Sequence, residues 1–229
     1  MDKYIKLKFI NKLYKYRFEL FFYTQISVMF GSLLIPKVFF ETYMSPFLFI
    51  LNLFSGLVLI SRREKLKQLA MGLFVVSLLI YIGGYTNMRS HISGYLRVII
   101  YFLFYILISY EIIKQVLKSR IVGRNVIVGL ISGYMSLGLI GFFICLSIEM
   151  AVPGSFQGLT TDTIESETQN LLYYSYITLL TIGYGDIYPT TQLAHKASML
   201  IGLVGQIYLV VLSAIVVGKY INQNHDKEK

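Results

Sequence analysis

Charge is scarce in this chain: 14% of its 229 residues are charged, against 55% hydrophobic. A soluble domain of that size keeps much of its surface in water and could not hide so much apolar area. Cysteine is limited to Cys145, so no disulfide can close within the chain. Histidine is nearly as rare. His91, His195 and His225 are scattered, and no metal-ligating or nucleophile constellation forms around them, so the chain is not expected to be an enzyme. Residues 1–17 are mostly polar and basic, and no short apolar core with a small-residue cleavage site follows, so no cleavable targeting sequence is expected. Acids are outnumbered, 12 against 21 Lys and Arg, for a net charge of +9. On a soluble protein that balance would suggest nucleic acid. Here the basic residues sit in short segments between apolar runs, which points to orientation in a membrane and to lipid rather than nucleic acid as the partner.

What the chain does have is long apolar runs, with a mean hydropathy of +0.63. A helix needs about 20 apolar residues to cross a bilayer. Six spans are read: Phe18 to Pro36, Ser45 (or Val38 at the earliest) to Ile60, Leu69 to Tyr85, Ser93 to Leu117, Asn125 to Met150 and Ala194 to Ile221. The basic stretches 1–17, Arg62–Lys67, Lys114–Arg124 and the C-terminus place both ends in the cytoplasm, in the plasma (inner) membrane, with the remaining loops outside. Residues 1–17 carry Ile5, Phe9 and Leu13 at helical spacing among six Lys and Arg. That pattern fits a basic amphipathic helix on the inner membrane surface and fits equally a basic tail that only sets topology. The expected organisation is a cytoplasmic segment 1–17, a four-helix domain 18–120, a second domain 121–222 and a tail 223–229.

The outer loop 149–193 holds Glu149, Asp162, Glu165, Glu167 and Asp186 and no Lys or Arg, so it is either an ordinary solvated loop or an acidic vestibule that concentrates cations. After the turn Pro153-Gly154-Ser155 it reads as polar to Asn170. Leu171 to Leu180 is then apolar but too short to cross, which predicts a re-entrant helix; such a helix is tolerated only where protein or a water-filled cavity surrounds the loop after it.

That loop is Thr181-Ile182-Gly183-Tyr184-Gly185-Asp186. A potassium ion entering a narrow pore must replace lost water oxygens, and backbone carbonyls aimed at a common axis can do so. Such a ribbon alternates backbone conformations that residues with a Cβ resist and glycine reaches freely, which fits Gly183 and Gly185. The carbonyls of Thr181, Ile182, Gly183 and Tyr184, with the Thr181 hydroxyl at the inner end, would hold K+. The Ile182 and Tyr184 side chains would pack behind the strand. The C-terminal pole of the short helix favours a cation nearby. One chain supplies one such strand and a ring needs four, so a homotetramer is expected, with permeant K+ and no other cofactor.

These residues carry a resemblance. The stretch from about 125 to 221, strongest from Tyr173 to Gly205, resembles the pore domain of potassium channels, and the whole chain looks like small bacterial six-span members. The fold so implied is an all-α membrane protein with six transmembrane helices, a re-entrant pore helix, a selectivity-filter loop and a tetrameric pore. Thr181 to Gly185 match the ion-coordinating string, with Ile182 in place of the commoner valine. Thr178 matches a threonine near the pore-helix end, and Tyr173-Tyr174 stand where many relatives have two tryptophans. Ile177 stands where some relatives carry a buried glutamate, and Leu180 replaces a frequent threonine. The resemblance implies that Asp186 accepts a hydrogen bond from a pore-helix aromatic, with Tyr173 as the candidate donor. Gly205 falls at the position of a gating-hinge glycine, and Gly202 lies one turn earlier; close packing is the competing role for either. Gln206, Leu209, Ser213 and Val217 follow at helical spacing and are read as the cavity wall.

The fourth span has Arg97 and then no basic residue until Lys114. Each charge contributes only about 2.3 kcal/mol per 100 mV, so weak or absent voltage gating is expected. Two other functions stay open on the sequence alone: a subunit of a potassium uptake transporter, and a non-conducting regulatory subunit.

Overall fold

The computed structural model describes residues 12–36, 39–85, 91–119, 121–160 and 164–225. The greater part of the basic N-terminal segment, the linker 86–90, Arg120, Asp162 and the end of the C-terminal tail lie outside the described residues.

The described chain is almost wholly helical. Helix α1 is Arg17–Phe30, followed by a tight 3-10 turn at Gly31–Leu33. Helix α2 is Ser45–Ile60, entered through a π-helical turn at Phe40–Met44 and with Pro46 in its first turn, where a missing N–H costs nothing. Helices α3 (Glu64–Tyr85), α4 (His91–Lys118) and α5 (Arg124–Ala151) come next. A short helix α6 covers Ile164–Leu179. The last helix starts as α7 (Gln192–Ile207), passes through a π turn at Tyr208–Leu212 and continues as α8 (Ser213–His225). Strands β1 (Phe156–Gln157) and β2 (Tyr188–Pro189) form one small antiparallel ladder that pairs Phe156 with Pro189.

Among the described residues, four helices are long and apolar enough to cross a membrane: Glu64–Gly83, Gly94–Lys118, Arg124–Ala151 and Gln192–Gln223. The first two expected spans are shorter as α-helices. α1 has 14 residues and α2 has 16, about 21 and 24 Å at 1.5 Å per residue. Their adjoining 3-10 and π turns extend them.

Helices α1 and α4 pack directly on α5, and α1 also packs on α2. Phe104, Tyr105, Ile108 and Ile112 of α4 are fully buried. Tyr105 stacks on Phe143 of α5 at 5.8 Å, and Phe49 of α2 stacks on Tyr101 at 5.5 Å. Small residues set the approach: a Cβ on Gly129 would touch Phe18 at 3.0 Å and Val116 at 3.3 Å. The Gly129/Gly133 pair thus serves helix contact, as its spacing predicts.

Buried polar groups in such a core need internal partners, since lipid offers none. Tyr105 donates to Asn52 Oδ1 at 2.6 Å, and Asn52 Nδ2 donates to Thr24 at 2.7 Å. Gln25 Nε2 donates to Ser136 at 2.8 Å and ties α1 to α5. At the basic end of the bundle, Glu111 is 1% exposed and lies 3.5 Å from the Arg63 guanidinium. Gln115 donates to Glu111 and accepts from Arg17. Lys219 of α8 donates to the carbonyls of Leu117 and Ser119, and Gln223 accepts from Val122 N at 2.7 Å. The end of the last helix is therefore fastened to the connection between α4 and α5.

Candidate functional site

The 16 residues of α6 span only about 24 Å, short of a bilayer crossing. The helix starts at Ile164, not near Leu171, so the polar run to Asn170 is helical rather than loop. Those polar residues alternate around the helix without an apolar face, and periodicity therefore gives no signal for them.

Side-chain hydroxyls fasten α6 to its neighbours. Tyr176 donates to Met135 O at 2.6 Å and Ser175 to Gly138 O at 2.7 Å, both on α5. Tyr134 of α5 donates to Leu179 O at 3.0 Å, and the Tyr174 hydroxyl pairs with Ser198 of α7 at 2.6 Å. On the other side α7 closes in at Gly205, which is buried; a Cβ there would stand 2.5 Å from Leu179 O. Gly205 therefore meets the condition for close packing, whereas a Cβ on Gly202 would only touch Thr178 O at 4.0 Å.

The chain leaves α6 on the helix's own last carbonyls. Thr181 N donates to Thr178 O at 3.1 Å and Ile182 N to Ile177 O at 2.9 Å. The backbone then takes positive φ at every second residue: Thr181 (57°), Gly183 (58°) and Gly185 (81°), with Ile182 and Tyr184 between them at ordinary negative values. Thr181 is the one described residue other than glycine in this region of φ. It tolerates an αL geometry that costs a side-chain-bearing residue about 1–2 kcal/mol.

The far end of the strand is braced by α6 and by the loop before it. Tyr173 OH donates to Asp186 Oδ2 at 2.9 Å. Thr190 N donates to Ser155 O, and Thr190 Oγ1 to Gly154 O, beside the β1–β2 ladder. Glu149 is 6% exposed, and its carboxylate accepts from Gly154 N at 2.5 Å and Phe156 N at 3.0 Å. It therefore holds the turn rather than facing water. Glu167 stays near it, and desolvation, then the Glu149 charge, raises its carboxyl above the usual carboxylate range.

Within the single chain Ile182 and Tyr184 are 48% and 71% exposed. A π turn at Tyr208–Leu212 contains Leu209 and lies between Gln206 and Ser213, so it interrupts the regular helical spacing of Gln206, Leu209, Ser213 and Val217. Gln206 lies within 3.4 Å of Thr181 Oγ1.

Sequence reasoning missed the tyrosine-to-carbonyl anchors, both π turns and buried Glu111. Among the described residues, no group of three or more His, Cys, Asp or Glu is placed to hold a metal ion.

No curated protein and no solved structure matches this chain. Residues 129–222 match a protein-family model described as ion channel. The matched segment takes in most of α5, all of α6, the strand with its alternating φ, and nearly all of the last helix. The match covers less than half of the chain and supports an ion-channel family for that segment.

Proposed function

We propose that this chain is one subunit of a homotetrameric potassium-selective channel, with Thr181 to Gly185 as its selectivity filter. The observation that carries the reading is the alternation of φ at Thr181, Gly183 and Gly185. A backbone that alternates in this way can turn successive carbonyls to one side, as a dehydrated potassium ion requires. Four copies would offer the carbonyls of Thr181, Ile182, Gly183 and Tyr184 around one axis, with the Thr181 hydroxyls at the inner end. The last carbonyls of α6 bring the negative pole of that helix to the same region.

The exposed flank of the strand supports assembly. Irregular backbone at membrane depth is tolerated only where protein or a water-filled cavity encloses it. Leu180, Ile182 and Tyr184 are 46%, 48% and 71% exposed in the single chain, and neighbouring copies are the natural cover. Of the two uses of Gly205, close approach to Leu179 O supports packing directly, and hinge motion then consists of separating that contact. Gly202 is the freer position.

In this reading α1 to α4 are a peripheral domain that completes six spans, both ends are cytoplasmic, and the protein sits in the plasma (inner) membrane with lipid around it. Arg97 is exposed, and α4 carries no ladder of basic residues below it, so opening depends weakly or not at all on voltage. The chain has no enzymatic role and no cofactor besides the permeant ion.

The test is flux through the purified protein in liposomes, with sodium as competitor and a voltage series. Potassium passing in clear preference to sodium, at a rate that does not saturate or couple to a second ion, supports the proposal. Equal passage of the two ions, or a purified protein that is monomeric, overturns it.

A further inference from the structure

Thr181 is the point where the filter strand departs from glycine geometry. Gly183 and Gly185 reach positive φ without penalty, and a Cβ at either would meet nothing within 4 Å. Thr181 takes the same region at φ 57° while carrying a branched side chain. A residue in that state persists only where its surroundings over-determine it. Its backbone N–H is held by Thr178 O at 3.1 Å. Its hydroxyl is met by Gln206 Nε2 at 3.4 Å, across from the last helix.

Gln206 can reach that hydroxyl because of its neighbour. Gly205 lacks a Cβ, so α7 lies against Leu179 O at the end of α6. The next residue along α7 is then carried to the inner end of the strand. Gln206 itself is exposed there rather than buried. With its nitrogen given to Thr181, its amide oxygen is free for water or a cation below.

We propose that Gln206 is a positioning residue for the innermost cation site: its amide N–H fixes the rotamer of the Thr181 hydroxyl, so that the hydroxyl oxygen keeps one orientation toward the ion. This rests on the reading of Thr181 to Gly185 as a potassium filter. It adds that discrimination at the inner end is set from the last helix, through one side chain that lies outside the filter string.

The experiment titrates purified tetramer with KCl and with NaCl by calorimetry, for wild type, Gln206→Met, Gln206→Asn, Thr181→Val and Gln206→Met/Thr181→Val. Gln206→Met keeps the length and removes the donor. Gln206→Asn keeps an amide but is too short to reach. Both are expected to lower the preference for K+ over Na+ by about two- to tenfold, the range for loss of one hydrogen bond. In the Thr181→Val background Gln206→Met should cause no further loss. Wild-type preference in both Gln206 variants overturns the inference, as does a loss that simply adds to that of Thr181→Val. A wild-type protein that binds the two ions equally would instead remove the filter reading itself, and the inference with it. The exposure of Gln206 makes a folding failure an unexpected outcome, and elution of each variant as wild-type-sized tetramer is checked first.

Discussion

The phenol of Tyr173 donates to Asp186 Oδ2 at 2.9 Å, linking α6 to the residue that follows the strand of alternating φ. The bond braces the strand laterally without touching the carbonyl row. Tyr173→Phe removes only the donor. Ion selectivity is expected to persist while the lifetime of the conducting state changes, by up to about tenfold for a hydrogen bond to a charged group. Single-channel recording checks this, and an unchanged dwell-time distribution would refute it.

Gly205 and Gly202 separate packing from flexibility. A Cβ at Gly205 would stand 2.5 Å from Leu179 O, so Gly205→Ala must push α7 off α6, at a cost of about 1–3 kcal/mol for overpacking. Gly202 has room, and Gly202→Ala is expected to be neutral or to gain about 0.5–1 kcal/mol from helix propensity. Thermal unfolding of the purified protein should rank them Gly205→Ala below wild type and Gly202→Ala at or above it.

Glu167 gives the outer loop a pH dependence of known sign. Desolvation, then the Glu149 charge, raises its carboxyl, so the folded protein holds this proton more readily than the unfolded chain. The contribution to stability is complete at low pH and is lost as pH rises through the raised value. Glu167→Gln is therefore expected to be more stable than wild type at about pH 7, with the difference closing toward about pH 4. The gain stays under about 1 kcal/mol, because solvent still screens this half-buried group. Melting temperatures of the two proteins across that range measure it.

Arg97 is the one basic residue between the start of α4 and Lys114, and it is exposed. A lone charge moving through the whole field gains only about 2.3 kcal/mol per 100 mV. Arg97→Gln should leave the conductance–voltage relation unchanged. A steep wild-type curve that flattens in the variant would show that α4 senses voltage after all.

The site was more legible in the sequence than the fold around it. Gly183 and Gly185 are spaced as the backbone alternation demands, and an apolar stretch too short to cross precedes them, so the strand and its helix could be found from residue types alone. The polar beginnings of α3 at Glu64 and α6 at Ile164 could not, because a helical turn in water or at an interface needs no apolar face. The tyrosine anchors join residues far apart in the chain, as with Tyr134 and Leu179 or Tyr208 and Leu130, and nothing local marks them. Gly205 showed that something must come close or bend; only its distance to Leu179 O favoured the first. Glu111 hid in an apolar run because its partners, Arg63 and Gln115, come from a loop and from the next turn.

The wide turn at Tyr208–Leu212 leaves the last helix one residue richer than a straight rod of the same height. Such a surplus is portable. Deleting a single residue between 208 and 212 would therefore let the turn close to ordinary pitch while everything downstream keeps its facing. Lys219 and Gln223 would hold their moorings on Leu117, Ser119 and Val122.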